Sequence, residues 1–110
     1  MDAHEQMLKS ITELLTLSCI SEEAGFSYFI SKRIKERTEG AIRIPSGCII
    51  PYLYFARENG EVRNTEKVIN GKTRDCFEIT PAGEERLAEL TDAYMDTHQA
   101  LLTFLKNQKK

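Results

Sequence analysis

The dipeptide Asn70-Gly71, set between two runs of strand-like residues, constrains this chain more than any other pair of positions. Both residues accept the positive φ of a type I′ turn. Val62 to Ile69 and Thr73 to Thr80 are therefore predicted to fold back as an antiparallel hairpin, joined through Asn70, Gly71 and Lys72. In the second strand Phe77 and Ile79 share one face while Asp75 and Glu78 lie off it, leaving an apolar side that can pack on helices.

Helical patterning fills the rest. From His4 to Ile20 the apolar residues Met7, Leu8, Ile11, Leu14, Leu15 and Leu17 follow three- and four-residue spacing. The polar stretch Ser21 to Gly25 ends that helix, and Ser27 is placed to cap a short second one. There Tyr28, Ile30 and Ile34 form the apolar set and Lys32, Arg33, Lys35 and Arg37 lie mostly outside. Thr38 to Ile44 reads as a loop. A third helix, capped by Ser46, runs to about Asn59-Gly60; Pro51 within it leaves the start open by several residues.

Thr80-Pro81-Ala82-Gly83-Glu84 combines an N-cap with proline at the first helical position and opens a long last helix. Its Leu87, Leu90, Tyr94, Leu101 and Phe104 step by threes and fours as a dimerisation seam does, widened by Leu102 and Leu105. So long an apolar strip is most economically buried against a second copy of the chain, and a homodimer is expected.

With 110 residues there is room for one core plus an appended element, so residues 1–80 are read as the domain and 81–110 as the dimerisation helix. The 41% hydrophobic and 29% charged fractions argue for an ordinary globular fold rather than disorder. No apolar run is long enough for a membrane span and no export leader is evident, so a cytoplasmic protein is expected. Cys19, Cys48 and Cys76 have no metal-ligand spacing. Cys19 and Cys76 are read as small core hydrophobes, whereas Cys48, near a helix start, leaves oxidant sensing open.

The net charge of −2 hides a strong asymmetry. Between Ser27 and Arg74 there are ten basic and five acidic residues, a net of +5, so the flanks carry −7. A basic middle between acidic ends implies one surface built to face an anion.

Helix, helix, helix, hairpin and long helix is the order of a winged helix-turn-helix, an α+β fold that is mostly α, with a C-terminal dimerisation helix. The chain also resembles the PadR family of transcriptional regulators, above all its short members, from about Ile11 to Leu105. Ser27-Tyr28-Phe29-Ile30 and Ile34 are similar to the family's second-helix motif, Gly47, Pro51, Leu53, Gly60 and Val62 to its third-helix pattern, and Arg74, Phe77, Thr80 and Gly83 to its wing-to-helix pattern. Two positions depart from it: Ile50 stands where the family has tyrosine, and Ala56 where it has an apolar leucine position.

The resemblance implies double-stranded DNA as partner. Lys67, Lys72 and Arg74 in the wing are the expected phosphate or minor-groove contacts, the other reading being a solvated hairpin tip. Ser46, Cys48 and Tyr52 near the start of the third helix are candidates for the groove, or for capping and packing. Lys32 and Arg33 are candidates for the backbone, or simply a solvated helix face. Only Arg57 supplies a base to the exposed part of the third helix, which favours phosphate contact and shape reading over rich base-edge readout.

Nothing points to catalysis, a cofactor or a metal: His4 and His98 have no ligand partners in sequence. A repressor on a palindromic operator is the expected function. A small aromatic effector is implied for some relatives, and Tyr94, Met95, Leu101 and Phe104 could line its space or simply be dimer core. The competing class is a winged-helix protein-interaction module, which a base-poor third helix would suit.

Overall fold

The computed structural model describes residues 2–108. It contains α1 (Ala3–Glu22), α2 (Ser27–Arg37), α3 (Ser46–Glu58), β1 (Val62–Ile69), β2 (Lys72–Ile79) and α4 (Pro81–Lys106) in that order. The hairpin forms as the Asn-Gly pair dictates, with φ of +51° at Asn70 and +77° at Gly71. The connection is tighter than expected: Ile69 pairs with Lys72, so the loop has two residues rather than three.

Both serine caps are displaced by one residue. Phe26 and Pro45 hold the extended N-cap positions of α2 and α3, so Ser27 and Ser46 are the first helical residues and neither caps through its side chain. Phe26 is extended because Gly25 pairs with Phe77 of β2: Gly25 N–H donates to the Phe77 carbonyl at 3.0 Å, and Phe77 N–H to the Gly25 carbonyl at 2.7 Å. Pro45 is extended because proline fixes φ near −60° and cannot donate. Pro51 stays inside α3, and the carbonyl of Gly47, which loses its N–H partner, belongs to an exposed residue where water can replace it.

Ile30, Ile34, Ile44, Ile49, Leu53, Ala56, Val62 and Phe77 pack with Leu17 and Ile20 into one core beneath the hairpin base. Successive strand residues face opposite sides, yet Cys76 and Phe77 are both buried, so the base of β2 is covered on both faces. Cys19 is buried as well, while Cys48 is exposed.

Three elements meet at the end of α3. Gly60, at φ +74°, donates to Arg57 O, and Glu61 N–H donates to Ala56 O at 2.9 Å, the double bond pattern of a Schellman cap. The Glu61 carbonyl then accepts from Thr80 N–H at 3.0 Å, and the Gly60 carbonyl accepts from the Thr80 hydroxyl at 2.6 Å. The same hydroxyl caps α4 by accepting from Gly83 N–H at 3.1 Å. Gly83 is buried against this knot: a Cβ there would collide with the Glu61 carbonyl oxygen and lie 2.6 Å from Ile79 Cγ1. Glu84, one position beyond the glutamate of a capping box, accepts from Ser21 of α1 at 2.8 Å.

From Thr91 onward every described residue of α4 is exposed, and the helix extends the molecule to 59 Å in its longest dimension. Leu87 departs from the expected seam, because it packs on the protomer's own core; Leu90 does the same while also bordering the groove described below.

Gly83→Ala should therefore destabilise the protein by about 3 kcal/mol, since backbone must move to admit the methyl. Gly47→Ala, with open space around it, should stay within about 1 kcal/mol on the stabilising side. Urea unfolding of the two variants checks the contrast, and equal losses would contradict it.

Candidate nucleic-acid interface

The first turns of α2 and α3 and the outer half of the hairpin enclose a cleft of about 790 Å³. Ser46, Ile50 and Tyr54, at four-residue spacing on one face of α3, form one wall, and Ile69, Lys72 and Arg74 contribute to the other. The hairpin is braced on α3 by a polar chain. Tyr54 Oη donates to Asp75 Oδ2 at 3.2 Å, Asn64 Nδ2 to Asp75 Oδ1 at 3.3 Å, and Arg57 Nη1 to Asn64 Oδ1 at 3.0 Å. The Arg57 guanidinium also lies 4.7 Å from the Tyr54 ring centroid, and Tyr54 meets Phe77 edge-on. Arg57, the one base of α3, is thereby tied into the hairpin base.

The basic residues divide into committed and uncommitted groups. Arg33 pairs with Glu22 at 2.7 Å and with Glu23 at 3.3 Å, and Arg37 pairs with the same Glu22 at 2.5 Å. The hydrogen bonds from Arg37 and Arg33 hold the Glu22 carboxyl below its ordinary range, and Glu22 in turn raises Arg33. Arg33 is thus a clamp between α2 and the end of α1 rather than a free backbone contact, which corrects the expectation from its helix face. Lys32 keeps only a loose exposed pair with Glu36 at 3.9 Å. Arg63 is bonded to Glu78. Lys67, Lys72 and Arg74 are exposed, and among the described residues no carboxylate pairs with them.

Tyr52 is also corrected. Its ring packs against the core and its hydroxyl is shielded from solvent with no hydrogen-bond partner, on the side of α3 away from the cleft. Burial first, then Glu13 and Glu61, push its pKa far up. Ser46 lines the cleft, and Cys48 is exposed on the third residue of α3.

A second, mostly apolar groove of about 400 Å³ runs between α1 and α4, lined by Met7, Ile11 and Leu14 on one side and Leu90, Tyr94 and Leu101 on the other. His98 stacks on Tyr94 at its edge, 5.5 Å between centroids. Phe104 lies beyond it, 66% exposed. The α1 wall is not foreseen by the sequence, because three- and four-residue spacing makes the stripe helical without saying what it packs against. In the structure Met7, 63% exposed, shows that the stripe reaches beyond the core. Among the described residues no helix is long and apolar enough to cross a membrane, and no cluster of His, Cys, Asp or Glu could hold a metal ion.

Residues 16–89 match the model of the transcriptional regulator PadR-like family. The chain belongs to that family. PadR-like proteins are transcriptional regulators, not enzymes, and the winged-helix fold is shared by solved structures. A PadR-like transcriptional regulator from Bacillus cereus is 25% identical, with a TM-score of 0.76 over 94% of this chain and 99% of that one. A PadR family regulator from Eggerthella lenta, 17% identical, superimposes with a TM-score of 0.83 over 96% and 92%. A transcriptional regulator from Clostridium thermocellum, 20% identical, gives 0.83 over 90% and 97%. A search of curated protein sequences finds no match.

Behind the cleft, Glu61 Oε1 is shielded and makes no hydrogen bond, while Arg86 binds Glu13 at 3.0 Å. Burial, and then Glu13, raise the Glu61 carboxyl above its ordinary value of 4.5. A raised carboxyl favours the folded state when protonated, so its ionised form weighs against folding above the raised value, and the penalty fades as pH falls from the raised value to the ordinary one. Glu61→Gln should accordingly melt a few degrees above the parent at pH 7, with the difference closing toward pH 4. Calorimetry across that range checks it, and a variant less stable at pH 7 would contradict it.

Proposed function

We propose that this PadR-like chain is a cytoplasmic transcriptional repressor that binds a palindromic operator as a homodimer, with the wing tip as its phosphate contact. The observation that carries this reading is the uncompensated charge of the wing. Lys67 stands directly opposite Arg74 in the ladder, with Lys72 two residues away. Like charges facing each other across strands weaken a hairpin, so the arrangement gains most when an anion sits between them. The cleft beside them opens onto the starts of α2 and α3, where unbonded backbone N–H groups also favour phosphate oxygens. Lys32 can add a contact at the flank, and Ser46 and Cys48 are the polar groups offered by the first turn of α3.

The α1–α4 groove supports a homodimer. Tyr94, Leu101 and Phe104, with Leu102 and Leu105 beside them, leave an apolar stripe exposed on a helix that extends far beyond its own core. A second α4 laid into the groove of the first covers both stripes by two-fold symmetry. A palindrome with half-sites about one helical turn or a multiple apart follows from that symmetry. A small aromatic effector would act at the same groove, beside Tyr94.

Two measurements test the reading. In gel shifts with the gene's own upstream region at about 100 mM salt, Lys72→Glu with Arg74→Glu should abolish a shift given by the parent. The milder double alanine variant should flatten the salt dependence of log K by about two units. No shift by the parent, or a shift indifferent to these changes, would favour the protein-interaction module instead. Leu101→Glu with Phe104→Glu should elute as a monomer in size-exclusion with light scattering; a parent that is itself monomeric at high concentration would refute the helical seam.

A further inference from the structure

The exposed residues of the first two turns of α3 are Gly47, Cys48, Ile50 and Pro51, with the half-buried Ser46 beside them at the cleft, and none of these carries a charged or amide side chain. Ile50 is 37% exposed and borders the cleft opposite Lys72 and Arg74. The usual hydrogen-bonding readers of bases, Arg, Lys, Asn and Gln, are absent from this surface, and Arg57 further along is bound to Asn64.

Gly47 adds an independent observation. It sits in the helix, not in a left-handed conformation, and a Cβ there would meet nothing within 4 Å. The fold has no need of glycine at this position, where alanine would be the better helix former. A missing side chain on an open surface instead lets an outside body come close to the backbone. That body is anionic, because the nearest uncommitted side chains are the cations of the wing.

An apolar helix start that approaches closely an anionic polymer matches one feature of the major groove, the C5 methyl group of thymine. We propose that α3 reads its operator through thymine methyl groups, with Ile50 as the principal contact and Gly47 and Pro51 allowing the approach. This rests on the DNA-binding reading above and adds to it the base class recognised: half-sites carry thymine at the positions under α3, and guanine is not selected there through a bidentate side chain.

The test begins with duplexes selected by the parent protein from a random library. Each thymine is then replaced in turn by deoxyuridine, which removes the methyl and keeps the base pair. Uracil at one or two positions per half-site should weaken binding about fourfold for each methyl lost, the effect of exposing one buried methyl to water. Ile50→Ala should bind the thymine and uracil duplexes equally, while Phe55→Ala, altering a residue 62% exposed a turn further along, should keep the discrimination. If the parent binds both duplexes alike, the methyl reading falls and DNA binding stands. Discrimination lost in Phe55→Ala but kept in Ile50→Ala overturns the assignment to Ile50. If no duplex is selected, the DNA reading falls with it, and the apolar α3 surface belongs to a protein partner.

Discussion

The contact between Thr80 and the Gly60-Glu61 turn is what the rest of the molecule depends on. One threonine caps α4, donates its hydroxyl to the Gly60 carbonyl just past α3, and donates its main-chain N–H to the Glu61 carbonyl, which aligns the start of β1 with the end of β2. Gly83 lets α4 begin against that turn without a side chain in between. The helix that carries the apolar stripe is therefore bonded at its root to the helix and the hairpin that border the cleft. Any tilt of α4 would be felt at α3 through hydrogen bonds and close packing, both of which resist small displacements.

Charge is organised by pairing more than by number. Arg33 and Arg37 belong to a basic helix, yet both pair with Glu22, and Arg33 with Glu23 as well, so that they fasten α2 to the end of α1. The three wing cations make no ion pair among the described residues, and Lys67 faces Arg74 across a ladder that would be more stable without two like charges there. A chain of net charge −2 thus presents an anion-seeking edge without a basic surface overall.

What could be read from the sequence was whatever is decided within a few residues. Asn70-Gly71 sets its turn by φ alone, Asn59-Gly60 its helix end, and Thr80-Pro81 its helix start, and all three stand in the structure. Contacts between elements were not legible. Nothing local says that Glu22 reaches Arg33, that Tyr52 turns from the cleft toward Glu13 and Arg86, or that Leu87 is claimed by its own core before a partner can use it. The caps at Ser27 and Ser46 shifted for a related reason: pairing of Gly25 with Phe77 fixes the backbone at Phe26, and Pro45 fixes its own. PadR-like membership was legible because its pattern combines locally determined residues such as Gly60 and Thr80 with apolar positions whose spacing marks them as core, such as Ile30, Leu53 and Phe77.

The central claim is that DNA meets the wing tip and the start of α3 while the arginines of α2 remain bound to α1. Amide hydrogen exchange of the protein alone and on a selected duplex reads this directly. Residues 67–74 and 46–50 should slow on binding, with little change at the exposed stripe beyond Thr91. Slowing confined to that stripe, with the wing and α3 unchanged, would contradict the account.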